Sequence, residues 1–137
     1  MIQVIKASQF PAQELETYFG HVWDQQTDQE ALYEYGRYML LNGEKKGFFA
    51  IVPAGEESGW LRALYMKGGL SPAFLMMVFE WVQQEAVQAG FQQIYVLTRD
   101  ESTETLLEIN GFQRTAHLPA RIRKQFKGET VWVWKSS

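Results

Sequence analysis

Two adjacent glycines stand between a lysine and a Ser-Pro pair in the segment K-G-G-L-S-P (67–72). Gly68 and Gly69 allow positive φ and a close approach of the backbone, so their N–H groups can point at an anion. Ser71 is a favourable N-cap residue, Pro72 suits the first position of a helix, and a helix N-terminus attracts negative charge. The segment therefore fits a phosphate-binding loop, and it fits equally a compact turn between a strand and a helix.

The elements predicted around this segment make a βαβ unit. The run W-L-R-A-L-Y-M (60–66) predicts a strand before it, and an apolar stripe from Phe74 to Ala89 predicts a helix after it. The run I-Y-V-L-T (94–98) is typical of a strand buried on both faces. We expect the two strands to be parallel and their connection right-handed. The glycine segment then lies where the first strand ends, a position at which α/β sheets bind ligands.

The remainder of the chain predicts further strands and helices on either side of this unit. Asn42-Gly43 predicts a hairpin between two strand-like runs, and the runs 117–126 and 130–135 predict a last hairpin. Apolar spacing predicts a helix over 11–23, although Gly20 lies inside the pattern, and another over 102–110. A capping box that begins at Thr27 predicts a further helix that runs to Gly36. We predict one α+β domain over residues 1–137, with a mixed, mostly antiparallel sheet of six or seven strands and about four helices.

The amino-acid composition excludes or disfavours several classes of function. Apolar residues make up 46% of the chain and charged residues 21%, as in ordinary globular proteins. A net charge of −3 gives no reason to expect binding to nucleic acid or to an anionic membrane, and no apolar run is long enough to span one. The absence of cysteine excludes a thiolate zinc site and a cysteine nucleophile, and the two histidines show no metal-ligand spacing. We expect a cytoplasmic monomer or homodimer without a metal.

The order of elements and the ending E-I-N-G-F of the helix over 102–110 resemble the GNAT N-acetyltransferase superfamily, most closely from Trp60 to Phe112. That family binds acetyl-CoA at the loop after its fourth strand, in a motif written Q/R-x-x-G-x-G/A. Lys67 stands here at the Arg/Gln position, but the two family glycines fall on Leu70 and Pro72. The resemblance implies a cofactor site made of Leu64, Tyr65, Met66, Lys67, Gly68, Gly69, Leu70 and Ser71, in which backbone N–H groups at 64–66 polarise the thioester carbonyl.

The same resemblance indicates which residue would donate a proton to the departing sulfur. Many relatives carry, before the Gly-Phe pair, a tyrosine that protonates the departing sulfur and an asparagine further upstream. The same spacing before Gly111 places Leu107 at the tyrosine position and Asp100 at the asparagine position, and we expect Asp100 in the cofactor site. Tyr95 and Ser102 are substitutes for the acid; as alternatives, Tyr95 packs in the core and Ser102 caps a helix.

The base that deprotonates the amine has several candidates. Relatives commonly use a carboxylate on the fourth strand or a water relay, but this strand has no carboxylate and carries Arg62. Glu30 and Glu34 lie on the helix that walls the acceptor site in the family, and the alternative is that they form a solvated helix face. His117 has a suitable unperturbed pKa of about 6.5, although a single histidine is more often a packing or surface residue.

We therefore predict an N-acetyltransferase that moves an acetyl group from acetyl-CoA to a primary amine, on a small molecule or a peptide, by direct attack. One alternative is a degenerate, non-catalytic domain of the same fold that binds CoA or a protein partner. Another is an unrelated α+β binding module that shares only the βαβ order.

Overall fold

The computed structural model describes residues 2–55, 57–66 and 72–136. Two 3₁₀ helices within these ranges, Ala7–Gln9 and Gly20–Gln25, flank the first α-helix. The strands and α-helices are, in chain order, β1 (Ile2–Lys6), α1 (Gln13–Phe19), α2 (Gln29–Tyr35), β2 (Gly36–Leu41), β3 (Glu44–Pro53), β4 (Ser58–Met66), α3 (Pro72–Gln88), β5 (Gln93–Thr98), α4 (Glu101–Ile109), β6 (Gln113–Arg114), α5 (Ala120–Arg123) and β7 (Thr130–Lys135).

The described strands form one seven-stranded sheet in the order β1-β2-β3-β4-β5-β7-β6. β4 and β5 pair in parallel and every other pair of neighbours is antiparallel. The predicted α+β class, the mixed sheet and the parallel βαβ unit built on α3 are confirmed. The predicted hairpin is confirmed as well: Asn42 and Gly43 both have positive φ (52° and 84°), as a tight two-residue turn between twisted strands requires.

Alternation along the strands divides the core between the two faces of the sheet. Phe49 packs with Phe79 of α3 and Leu107 of α4, whereas its neighbour Phe48 packs on the opposite face beneath α1 and α2. A third cluster lies beneath α5 and includes Tyr95. The apolar cluster of the α3–α4 face and those of the α1–α2–α5 face therefore lie on opposite sides of the sheet.

The first two helices differ from their prediction. α1 ends at Phe19, because Gly20 adopts a φ of +62°, and the chain continues as a 3₁₀ helix. The capping box predicted at Thr27 does not form. Asp28 directly precedes α2 with a left-handed φ of 53° and makes no side-chain cap, because its carboxylate and the Thr27 hydroxyl both bind Arg62.

The last predicted hairpin is wrong in its first half. Residues 120–123 form the short helix α5, and β7 pairs instead with β5 and the two-residue strand β6. Pro119 at the N-cap presets a helical start, and Leu118 and Ile122, four residues apart, are both buried on one side. The helix predicted over 102–110 begins at Glu101 instead, with Asp100 rather than Ser102 as its cap.

Candidate active site

The parallel strands β4 and β5 are paired only at their beginning. Ser58, Gly59 and Trp60 face residues 93–95, and no pairing continues from there to the ends of the two strands at Met66 and Thr98. β4 also contains a bulge, since Leu61 is opposite Ile51 and Ala63 is opposite Ala50, which leaves Arg62 as the extra residue. A bulge bends its strand and increases the local twist. The carboxyl-terminal halves of β4 and β5 therefore diverge.

A cavity of about 330 Å³ lies between the diverging halves, and we call it the β4–β5 cavity. Its apolar lining comes from β4, α3, β5 and α4, and consists of Leu61, Leu64, Phe79, Val96, Leu97 and Leu107. Its polar lining consists of Arg62, Thr98, Arg99, Asp100, Thr103 and Glu129. A pocket that combines apolar side chains with polar groups that converge on it is the usual form of a small-molecule site.

The end of β4 contributes both side chains and backbone to this cavity. Leu64 lines it, whereas Tyr65 packs on the α1–α2 face and its carbonyl accepts a hydrogen bond from the Tyr18 hydroxyl at 3.5 Å. In an antiparallel ladder, alternate residues of β4 direct their N–H and C=O groups to β3. The groups between them face the opening, where β5 makes no pairs beyond Trp60. Residues 67–71 of the predicted cofactor site, which include the predicted pyrophosphate-binding N–H groups of 68–71, lie outside the described residues, and their role stays a prediction.

Asp100 lies at the rim of the cavity, as predicted for a cofactor residue, and its carboxylate caps α4. It accepts hydrogen bonds from the backbone N–H of Thr103 at 2.8 Å and from the Thr103 hydroxyl at 2.7 Å. The Thr103 backbone hydrogen bond, followed by that from the hydroxyl, holds the pKa of Asp100 below its usual range. The start of α4 is thereby fixed beside the cavity. Whether Asp100 also contacts a cofactor stays a prediction.

Leu107 forms part of the cavity floor. Its side chain is completely buried in the cluster that also contains Phe79 and Phe112. The resemblance assigns the family's proton donor to this position. The side chain that lines the cavity here is a hydrocarbon and cannot donate a proton.

The structure does not bring the other predicted catalytic residues to this cavity. Tyr95 is buried in the cluster beneath α5, and its hydroxyl donates to the side-chain oxygen of Gln93 at 2.9 Å; burial raises its pKa. Glu30 and Glu34 are exposed on α2. Glu34 lines a different cavity, of about 390 Å³, together with Arg37 and Glu85. The catalytic roles of Glu30, Glu34 and Tyr95 stay predictions.

The sequence did not identify Arg62 as a site residue. Its Nη1 donates to Asp28 at 2.5 Å, and its Nη2 donates to the Thr27 hydroxyl at 2.5 Å and to the Gln125 side chain at 3.3 Å. Its guanidinium also stacks 4.5 Å from the centroid of the Trp60 ring. The hydrogen bond from Arg62 holds the pKa of Asp28 below its usual range. The sequence did contain one signal for it, because Arg62 is a single charged residue in a strand that is otherwise mainly apolar.

The sequence also did not single out Glu129, another charged residue at the cavity. Its carboxylate accepts the backbone N–H of Lys127 at 2.6 Å, and Arg99 lies 3.6 Å away. Burial works to raise the pKa of Glu129, but these hydrogen bonds and the charge of Arg99 outweigh it, so the pKa lies below its usual range. The group is therefore a carboxylate at neutral pH.

No described helix has the length and apolar character needed to cross a membrane. No group of three acidic or histidine side chains in the described ranges is placed to hold a metal ion.

Comparison with known proteins gives structural neighbours at low sequence identity. The sequence matches no protein-family model and no curated protein. Its structure is similar to N-acetylglutamate synthase from Neisseria gonorrhoeae complexed with coenzyme A and N-acetyl-glutamate (TM-score 0.77, 15% identity), covering 98% of this chain but only 35% of that one. It is also similar to a Bacillus subtilis acetyltransferase in complex with CoA (TM-score 0.75, 15% identity, 99% and 98% covered). A third neighbour is a GNAT-family acetyltransferase from Staphylococcus aureus (TM-score 0.72, 15% identity, 98% and 99% covered). The chain thus has the fold of these acetyltransferases, as the sequence resemblance implied.

Proposed function

We propose that this protein is an N-acetyltransferase of the GNAT superfamily that transfers an acetyl group from acetyl-CoA to a primary amine. The observation that carries the proposal is the β4–β5 cavity, which opens where two parallel strands diverge and which the start of α4 borders. Neighbours with the same fold were solved with coenzyme A, which supports the choice of cosubstrate.

The residues present fit such a cosubstrate. Leu61, Leu64 and Phe79 give the cavity an apolar wall suited to the acetyl group and the adjoining methylene groups. The unpaired edge of β4 offers backbone N–H and C=O groups to an extended, amide-containing arm, as sheet edges do for peptides. We assign the pyrophosphate to the backbone of residues 68–71 and the N-terminus of the helix that follows.

The reaction is a direct transfer. The uncharged amine nitrogen attacks the thioester carbonyl carbon, a C–N bond forms, and the C–S bond breaks with its electron pair going to sulfur. N–H groups of β4 at residues 64–66 that face the opening stabilise the charge that develops on the carbonyl oxygen. A thiol has a pKa of about 8.5, so the sulfur leaves as a thiolate without an acid at Leu107. We expect this to slow the reaction by about 10²–10⁴-fold relative to an enzyme with a positioned acid.

The amine must lose a proton before it attacks, because an amine of pKa about 10.4 is almost wholly protonated at neutral pH. Glu30 and Glu34 are the sequence-based candidates for the base. Both are exposed and neither lines the β4–β5 cavity, so we favour a bound water as the immediate acceptor of the proton.

Thermal unfolding with and without ligand tests the cosubstrate. A ligand present at a hundred times its dissociation constant stabilises the folded state by about 2.7 kcal/mol. For a chain of this size, acetyl-CoA or CoA should then raise the melting temperature by about 5–10 °C, whereas ATP and NADH should not. No shift at millimolar acetyl-CoA would rule out this function and would equally rule out a domain that only binds CoA.

A substitution in the glycine segment separates a phosphate-binding loop from a turn. If the N–H groups of residues 68–71 hold pyrophosphate, Gly69→Val should weaken CoA binding far more than it lowers the melting temperature of the free protein. A folded Gly69→Val protein that binds CoA as tightly as the wild type would assign the loop a purely structural role.

A second candidate function is a non-catalytic domain that binds CoA or a protein partner. The leucine at position 107 favours it, because the cavity then lacks the usual proton donor. Release of free thiol from acetyl-CoA over a panel of amines decides between the two, since only the enzyme consumes acetyl-CoA.

A further inference from the structure

Arg62 places a nearly buried positive charge beside the β4–β5 cavity. It is the only charged residue of β4, its side chain is 10% exposed, and the bulge turns it and Ala63 toward the α1–α2–α5 face. A buried charge of this kind is costly unless it is paired or serves a ligand.

The protein leaves part of the hydrogen-bonding capacity of Arg62 unused. A guanidinium has five N–H groups, and three hydrogen bonds account for one N–H of Nη1 and both of Nη2. The Nε–H and the second N–H of Nη1 have no hydrogen-bond acceptor within the described part of the chain. These donors belong to a residue that lines the cavity, so an anionic group that reaches the guanidinium from the cavity can use them.

The acceptor that Arg62 does hold is a carboxylate from a loop. Asp28 precedes α2 with a left-handed φ of 53°, an uncommon conformation for a residue other than glycine, and its side chain is 53% exposed. The position thus already accepts a carboxylate that reaches Arg62 from the solvent side. The carboxylate of a small molecule has the same shape and charge as the end of this side chain.

Glu129 supplies the opposite charge at the same cavity. Its side chain is only 14% exposed; it accepts the Lys127 N–H and forms an ion pair with the exposed Arg99 at 3.6 Å, and a carboxylate, with about four acceptor sites, can take a further donor. A carboxylate with few solvent contacts attracts an ammonium group more strongly than an exposed one does. The cavity therefore has a site for a positive group as well as one for a negative group.

We propose that the acceptor is an amino acid or a similar compound with its primary amine a few atoms from a carboxylate, and that Arg62 and Glu129 select it by these two charges. The inference rests on the proposed acetyltransferase function, because it identifies the substrate class of that same site. Transfer of the acetyl group converts the ammonium into a neutral amide and releases two protons: one passes to water before the attack, and the other leaves the nitrogen after the C–N bond has formed and passes to the thiolate or to water. The product therefore loses its attraction to Glu129 and keeps only its contact with Arg62.

Matched pairs of amines test the inference in the wild-type protein. Glycine, L-alanine and L-glutamate are compared with glycinamide, L-alaninamide and L-glutamic acid α-amide, and thiol release from acetyl-CoA gives kcat/KM for each. We expect at least one free amino acid to exceed its amide by about ten- to a hundredfold, the range for a hydrogen bond to a charged group. Equal rates for every acid and its amide would overturn the inference and leave the acetyltransferase function standing.

Two arginine variants locate the selectivity. Arg62→Gln should remove the preference for the acid, mainly through KM, whereas Arg62→Lys should keep part of it. Arg37→Gln is the matched control: it also breaks an arginine–carboxylate pair, with Glu85 at 3.1 Å, and lies outside the β4–β5 cavity. A folded Arg62→Gln protein that keeps the full preference for the acid would overturn the inference.

A binding measurement covers the case in which no amine is consumed. In the presence of saturating CoA, a free amino acid should raise the melting temperature further, and its amide should not. Absence of that further shift would overturn the inference while the shift caused by CoA itself remained. Absence of both shifts and of thiol release would overturn the proposed function together with the inference.

Discussion

In the proposed enzyme, Leu107 is at the position that the resemblance assigns to the proton donor, and its replacement by tyrosine tests whether the cavity is catalytic. Leu107→Tyr puts a hydroxyl at the floor of the β4–β5 cavity. We expect thiol release to rise by up to about 10²-fold, at a cost of about 1–3 kcal/mol in the free energy of unfolding, because the site is tightly packed. Steady-state kinetics over an amine panel and urea unfolding measure the two effects.

The neighbouring leucine provides the control for this change. Leu106 packs against the same cluster from the same helix but does not line the cavity, so Leu106→Tyr should leave turnover unchanged. A folded Leu107→Tyr protein that binds acetyl-CoA and still releases no thiol with any amine would favour the non-catalytic alternative.

Asp100 makes the stability of the protein depend on pH in a defined direction. Its pKa is lower in the folded state than in the unfolded chain, so its contribution is fully present above the usual aspartate pKa of about 3.9 and is lost as the pH falls through the folded value. Asp100→Ala should therefore lower the melting temperature at pH 7, and this difference should disappear in acid.

Thermal unfolding of the two proteins from neutral to acidic pH measures this dependence. Glu101→Ala is the control, since Glu101 lies in the same first turn, but its carboxylate is not the group that caps Thr103. A difference between Asp100→Ala and wild type that stayed constant into acid would show that the cap does not act through the charged carboxylate.

The junction between α2 and β2 depends on the absence of a side chain at Gly36. A Cβ atom built there would lie 2.2 Å from the Leu32 carbonyl oxygen and 2.3 Å from the Phe48 ring. Gly36→Ala should therefore lower the free energy of unfolding by about 3 kcal/mol, the upper end for overpacking, because backbone must move as well as a side chain.

Gly55→Ala is the matched control, since its Cβ would meet nothing nearer than 3.8 Å, and we expect it to change stability by less than about 0.5 kcal/mol. Urea unfolding of both variants gives the comparison. Equal stability of the two would mean that α2 can shift away from the sheet without cost.

The sequence predicted those elements whose signals are local. Asn42-Gly43 specifies its turn through two positive φ angles, and the stripe of α3 buries Phe74, Val78, Val82 and Ala86 at helical spacing. The strand predicted around Ile122 is wrong because the short apolar pattern there fits a strand and a helix equally well. Burial of the apolar side chains against the sheet favours the helix. The capping box predicted at Thr27 does not form because Arg62, which is distant in sequence, binds the side chains of both Thr27 and Asp28.

The candidate site was predictable only in part, for a related reason. Asp100 caps α4 and Leu107 lies on it; the family resemblance assigned both to the predicted site, and both line the β4–β5 cavity. Arg62 and Glu129 line the same cavity because β4 bulges and the connection after α5 returns across the end of β5. No pattern within either segment of the sequence indicates that these two residues line one cavity.

At the scale of the whole molecule, one sheet is shared by all three apolar clusters. Neighbouring residues such as Phe48 and Phe49 belong to different clusters, so loss of the order of β3 would remove side chains from both faces together. The β4–β5 cavity lies where the two faces meet, with Leu107 on one side and Arg62 directed to the other. Its geometry should therefore persist as long as the sheet is intact.

We expect the protein to unfold as a single unit, and three tryptophans report on this separately. Trp81 packs with the α3–α4 cluster, Trp23 with the α1–α2 cluster and Trp60 with the α5 cluster. In variants that keep one of these tryptophans and carry phenylalanine at the other tryptophan positions, urea unfolding by fluorescence should give the same midpoint as far-UV circular dichroism of the same variant. The slope should be about 1–3 kcal/mol/M, as for small two-state domains. The comparison is made within each variant, because the substitutions themselves change stability. A fluorescence midpoint for Trp23 below that of circular dichroism would show that the α1–α2 face opens before the rest, and residues 1–137 would then not behave as one domain.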